Sequence, residues 1–205
     1  MGHRFAELAF TPEVRAVQKA EGSRAQYSRM EHGDALNDEL TGLEAKFIAE
    51  RDSFYVASVS ETGWPYVQHR GGPAGFVKVI DSKTIGLADY RGNRQYVSVG
   101  NLAGDDRVAM ILVDYASRSR LKLLGHAQVV GPEQSELLAS LQTPGYRAKV
   151  ERGFLVRIAA FDWNCPQHIT QRFTEAQVAM ATAALRARIE ILEKELATQL
   201  VTARR

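Results

Sequence analysis

The sequence predicts a mainly β fold with peripheral helices and a long helix at its C-terminal end. Three observations carry this expectation. From Phe54 onward the apolar pattern takes a period of two and returns in several short runs, each closed by turn residues. Before Phe54 the apolar spacing is helical. From about Thr174 to Arg205 there is neither Gly nor Pro, and Val178, Leu185, Ile189, Leu192 and Leu196 recur at helical spacing among Glu, Lys and Arg.

Each element has its own local reason. Val14 and Val17 after Pro12 predict a short amphipathic helix, and the polar stretch Glu21 to Gly33 reads as loop. Thr41 with Glu44 makes a capping box ahead of a stripe of Leu43, Phe47 and Ile48. Phe54 to Val59 is rich in β formers, and Glu61-Thr62-Gly63 turns it into Tyr66 to Arg70. After the break Gly71-Gly72-Pro73-Ala74-Gly75, strands follow at Phe76 to Ile80, Thr84 to Ala88, Val108 to Val113, Leu121 to Val130 and Phe154 to Phe161. A helix from about Glu133 to Leu141 interrupts them. Short strands with turns between them point to a barrel or sandwich. The C-terminal seam has two readings, a helix packed on its own barrel or a dimerisation arm. Thr182 and Gln199, which fall in line with the apolar residues, leave both open.

Composition narrows the function classes. The 205 residues suit one domain with an appendage. A formal net charge of +2 gives no basis for a generally basic nucleic-acid binder. The single cysteine, Cys165, excludes an internal disulfide and fits a reducing compartment. No apolar run approaches the ~20 residues that cross a bilayer, and MGHRFAELAF lacks a signal pattern. A cytoplasmic protein is the expectation. Walker loops, Gly-x-Gly-x-x-Gly turns, Gly-x-Ser-x-Gly elbows and His-Glu-x-x-His are all absent from the sequence.

Four constellations hold chemistry-bearing side chains. Asp89-Tyr90-Arg91-Gly92-Asn93-Arg94-Gln95-Tyr96 follows a strand, and its backbone N–H groups, the guanidinium forks of Arg91 and Arg94 and the Asn93 amide would cradle a phosphate. A solvated polar turn is the competing reading. Gln68, His69 and Arg70 end a strand before glycines that let a flat ligand approach; alternation puts Gln68 and Arg70 on one face and His69 on the other. Arg118, Arg120, Lys122 and His126 share a strand face, either as a solvated row or as the lining of an anion site. Asp162-Trp163-Asn164-Cys165-Pro166-Gln167-His168 admits a Cys–His pair, a two-ligand metal site, a polar loop over a ligand ring, or a strand end with a buried Cys.

The order of these pieces resembles the FMN-binding split-barrel proteins related to pyridoxamine 5'-phosphate oxidase. RDSFYVASVSETGWPYVQHRGGPAGFVKVID resembles the first part of that barrel and LADYRGNRQYVSVGNL its phosphate-binding turn. RLKLLGHAQVV resembles a following strand and DWNCPQHI a late segment near the flavin. The resemblance spans about Phe47 to Arg172. It implies an FMN-binding split barrel, and together with the helical patterns at both ends this gives a barrel domain with N-terminal helices over residues 1–173 and a helical arm over 174–205. It further implies FMN at the interface of a homodimer, with the phosphate held by Arg70, Asn93, Arg94 and Gln95. Gln68, His69, Lys122, Trp163, Gln167, His168 and Arg172 complete the expected cofactor contacts. The oxidase motifs are only partly kept: Arg70 is followed by Gly-Gly-Pro, and Gly92-Asn93-Arg94 stands at the turn. The functional expectation is therefore an FMN-dependent oxidoreductase acting on a small molecule, with no residue assigned to a chemical step. A non-catalytic flavin carrier or sensor is the alternative, and so is a haem-binding barrel with His69, His126 or His168 as axial ligand.

Overall fold

The computed structural model describes residues 3–33, 36–164 and 166–203. It contains one seven-stranded, wholly antiparallel sheet, with helices on either side of it in sequence. The strands are β1 Ser53–Val59, β2 Pro65–Gly71, β3 Val77–Asp81, β4 Thr84–Tyr90, β5 Arg107–Asp114, β6 Ser119–Val130 and β7 Val150–Asn164. Their order is β2-β1-β5-β6-β7-β4-β3. The sheet curls, because Arg70 on the edge strand β2 forms an ion pair with Asp89 on β4, near the opposite edge. That contact closes a barrel whose two edge strands are not hydrogen-bonded to each other. This is the split β-barrel, with a long C-terminal helix.

Period-two alternation fills the interior. Leu121, Leu123 and Ala127 on β6, Val108, Met110 and Leu112 on β5, and Phe154, Val156 and Ile158 on β7 are all buried. Phe54 and Phe76 stack with centroids 5.8 Å apart inside the same core. A register shift falls between Leu124 and Gly125, where β6 bends. A Cβ at Gly125 would meet the Arg157 carbonyl oxygen at 2.5 Å, so the bend needs glycine.

Four helices precede the barrel: α1 Arg4–Ala9, α2 Pro12–Ala20, α3 Arg24–Glu31 and α4 Gly42–Ala49. The third corrects an expectation, since Glu21 to Gly33 is not loop. Its helix has little apolar surface and is held by charge: Glu31 accepts from Arg24 and from Arg15 of α2, while Tyr27 meets Phe10 edge-on at 5.6 Å. The capping box of α4 is present, but its buried face is rotated from the expected stripe. Phe47 and Ile48 are buried, Leu43 is 65% exposed, and Glu44 turns inward instead. Burial raises the Glu44 pKa, yet hydrogen bonds from Thr41 and from Trp163 Nε1 (2.7 Å) outweigh it and hold the carboxyl below its ordinary value.

Helix α5 Val97–Gly104 follows β4, and α6 Ser135–Leu141 lies between β6 and β7. The chain divides into two compact units. One comprises Met1–Asp114 and Ser119–Gln167; the other comprises Tyr115–Arg118 and His168–Arg205. The second unit begins at His168, a few residues ahead of the expected division after 173. Within this unit Gln171 and Arg172 meet the turn Tyr115–Arg118: Gln171 Nε2 donates to the Ala116 carbonyl at 2.6 Å, and Arg172 lies 5.1 Å over the Tyr115 ring. Helix α7, Glu175–Ala203, makes up the rest of that unit. Among the described residues no helix is long and apolar enough to cross a membrane.

Candidate functional site

On β2, alternation turns Tyr66, Gln68 and Arg70 toward one face. Opposite them stand the end of β4, the turn 91–96 and the first residues of α5. Together they line a recess of about 60 Å³. Asn101 docks α5 on β1 through a 3.0 Å bond to Ser58 Oγ, and Ser98 Oγ donates to Gln68 Oε1 at 2.8 Å. These two bonds fix where the helix begins.

The turn is shaped by local chemistry. Asn93 Oδ1 accepts from the Gln95 N–H at 3.3 Å. Arg94 and Tyr96 take left-handed φ values of 62° and 54°. Tyr96 is the N-cap of α5 and provides no side-chain cap. The first N–H groups of α5 are thus left for another acceptor, where the helix dipole favours an anion.

A continuous charged network runs across the recess. Arg70 pairs with Asp89 and lies 4.9 Å over the Phe154 ring. Asp89 also faces Arg152, whose Nε is buried at 3.5 Å without a hydrogen bond. Arg152 continues to Glu151 (3.3 Å) and sits 4.7 Å over the Tyr96 ring. Glu151 pairs with Arg91 at 3.2 Å and accepts from Tyr96 Oη at 3.1 Å. Tyr96 Oη in turn accepts from Arg94 Nε at 3.2 Å. Desolvation would raise the Glu151 pKa, but the Tyr96 and Arg152 hydrogen bonds and the nearby arginine charges lower it. The hydrogen bond to Tyr96, with Glu151 close by, raises that of Arg94.

Four guanidinium groups (Arg70, Arg91, Arg94, Arg152) therefore face two carboxylates (Asp89, Glu151), leaving a surplus of two positive charges. Arg94 is exposed, and among the described residues its hydrogen bond is made by Nε, to Tyr96 Oη. The arrangement suits a compact dianion.

Of the residues singled out from sequence, the recess gathers Gln68, Arg70, Asn93, Arg94 and Gln95. His69 lies on the other face of β2, edge-on to Tyr55 at 5.3 Å. Lys122 pairs with Asp162 at 2.8 Å and caps the Phe5 ring at 4.6 Å, under α1. His126 meets Asp106 at 2.8 Å, so the basic row on β6 is partly matched by acids. Trp163 clamps α4 through Glu44 and an edge contact with Phe47 at 4.7 Å. Gln167 is exposed in the turn after β7; His168 and Arg172 belong to the second unit. Cys165 lies outside the described residues.

Sequence reasoning missed Glu151 and Arg152, and gave no role to Asp89 and Tyr96 at the two ends of the turn segment. The signal was faint: an acid closing the buried run Ile85-Gly86-Leu87-Ala88, and a Glu-Arg pair just before the expected start of β7. Among the described residues no group of three His, Cys, Asp or Glu side chains is placed to hold a metal ion.

A family model for pyridoxamine 5'-phosphate oxidase matches residues 40–156, more than half of the chain. No curated protein matches. Among solved structures the chain is similar to HupZ from Group A Streptococcus, at 13% identity over 65% of this chain and 99% of that one, with a TM-score of 0.47. It is similar to an FMN-binding protein from Syntrophomonas wolfei, at 12% identity, 72% and 97% coverage and a TM-score of 0.43. It is also similar to HutZ, the haem storage protein from Vibrio cholerae, at 16% identity, 58% and 90% coverage and a TM-score of 0.37.

Proposed function

The chain belongs to the pyridoxamine 5'-phosphate oxidase family, and on that premise we propose that it binds FMN through the recess between β2 and the β4–α5 turn. The observation that carries the reading is the surplus of two positive charges beside an uncapped helix N-terminus. The FMN phosphate carries about −1.5 to −2 charges at neutral pH, which matches that surplus. Arg94, Asn93 and Gln95 hold the phosphate from the turn, Arg70 from β2, and Gln68 and Ser98 line the same recess. The bound flavin supplies the redox chemistry, and the chain's own residues fix its phosphate end.

With the phosphate end held in this recess, the reading has the flavin ring beyond it, at the interface of a homodimer. We take the protein to be a cytoplasmic FMN-dependent oxidoreductase acting on a small molecule. Titration with FMN and with riboflavin tests the site, and steady oxidation of a reduced nicotinamide by the loaded protein tests the activity. FMN must bind well ahead of riboflavin; equal affinities would remove the phosphate cradle. Binding without turnover of any reductant would make the protein a flavin carrier or sensor.

A further inference from the structure

Helix α7 carries an exposed apolar seam that the flavin reading does not use. Its 29 residues make a rod about 44 Å long. Val178, Thr182, Leu185, Ile189, Leu192, Leu196 and Gln199 follow one another at alternating spacings of four and three, the heptad seam of a coiled coil. The five apolar members are 44–66% exposed. Arg186, Arg188, Glu193 and Glu195 flank the seam, and among the described residues none of the four is in an ion pair. The one pair within the helix, Lys194 with Glu190 at 2.7 Å, lies away from the seam.

We propose that α7 pairs with α7 of a second copy as an antiparallel two-stranded coiled coil, with its dyad between residues 190 and 191. The charges decide the orientation. In that register Leu185 meets the partner's Leu196, and Ile189 meets the partner's Leu192. Thr182 meets the partner's Gln199, so the two residues that interrupt the seam share one polar layer. On the flanks Arg186 meets the partner's Glu193 and Arg188 meets the partner's Glu195. The dyad doubles these to four opposite-charge pairs. A parallel pair would match Arg188 with Glu193 alone, and would set Thr182 against Thr182 and Gln199 against Gln199. Flanking charges of this kind select partner and orientation.

The test uses the full chain in a Cys165→Ser background, so that only introduced thiols react. Chains with Leu185→Cys and with Leu196→Cys, distinguished by tags, are co-expressed and treated with a short bismaleimide. In the antiparallel pair each of these positions lies about 16 Å along the axis from its own copy, beyond such a linker. The expected product is the mixed covalent dimer, at least ~10-fold over either self-linked dimer. Self-linked Leu185→Cys dimers, or no linkage, would overturn the proposal. Arg186→Glu with Arg188→Glu in one chain, or Glu193→Arg with Glu195→Arg in the other, must each reduce self-association by ~10-fold or more, because all four pairs become repulsive. Mixing the two reversed chains must restore linkage; failure of restoration would remove the ion-pair argument. The cross-linking reads α7 directly, so a dimer made through the barrel does not mask the result.

Discussion

Arg94→Gly separates the two roles that the β4–α5 turn has to reconcile. Arg94 is exposed, holds φ at 62°, and spends only Nε on Tyr96. A side chain in the left-handed region costs about 1–2 kcal/mol, which glycine relieves. Against this, glycine frees the unfolded chain by about 0.4–1 kcal/mol. The net change therefore lies between zero and a gain of about 1.5 kcal/mol, or a melting temperature unchanged to a few degrees higher. Affinity moves the other way. Loss of a charge-assisted bond to phosphate costs about 1.5–3 kcal/mol, roughly 10–100-fold in Kd. Arg94→Ala should match that loss of affinity without the gain in stability, since alanine keeps the strain. Arg94→Lys should recover part of the binding, because an ammonium cannot reproduce the fork. The assays are FMN titration by fluorescence quenching at fixed moderate salt, riboflavin as the phosphate-free control, and thermal melting of the flavin-free protein. Normal FMN binding by both Arg94→Gly and Arg94→Ala would refute the assignment of phosphate to this turn. A melting temperature lowered by several degrees in Arg94→Gly would refute the strain argument.

Arg70→Ala should lower both affinity and stability, the latter by about 1–3 kcal/mol, because it leaves Asp89 facing Arg152 alone and unties the barrel seam; urea melts of the flavin-free protein check it. Trp163→Phe removes the donor to Glu44 and should cost about 1.5–3 kcal/mol at neutral pH, with FMN affinity in the folded fraction unchanged. Folding lowers the Glu44 pKa from 4.5, so its contribution is complete above that value and fades as pH falls through the lower, folded value. The difference between Trp163→Phe and the parent should accordingly shrink in melts taken below pH 4.5. Gly125→Ala would drive a methyl against the Arg157 carbonyl and to 2.9 Å from Val156 Cγ1, and should destabilise by about 1–3 kcal/mol; a neutral melt would mean that the bend in β6 relaxes freely.

The strands were legible because alternation is a local signal, and it survives in β1, β5 and β6 almost residue by residue. Helix α3 was not, since ion pairs to Glu31 hold it rather than an apolar stripe. The stripe on α4 was misphased for a related reason: Glu44 looks like a capping residue alone until Trp163, 119 positions away, is seen to donate to it. The same distance hides the role of Trp163, because an indole that clamps a helix and one that faces a ligand read alike in sequence. Gln68, Arg70, Asn93, Arg94 and Gln95, which line one recess, could be singled out as candidates because each lies in a short cluster of polar residues beside glycine. Glu151 and Arg152 join them only through the pairing of β7 with β4, a register that no local pattern encodes.

The strand order also constrains the sequence of folding. Among the described residues, β7 is the strand that joins β6 to β4, and the hairpin β3–β4 enters the sheet through it. β3 and β4 are complete by Tyr90, yet their only neighbour in the rest of the sheet begins at Val150. On a ribosome this hairpin must wait for some 60 further residues before it can bury its inner face, an interval of several seconds at ordinary synthesis rates. Loop closure over that separation makes the joining late and slow in refolding as well. Pulse-labelled hydrogen exchange should find the amides of β4 protected together with those of β7 and after the β1–β2 hairpin. The seam at Arg70 and Asp89 is then the last part of the barrel to form, and a chain stalled before Val150 leaves the β7-facing edge of the apolar strand β4 unpaired.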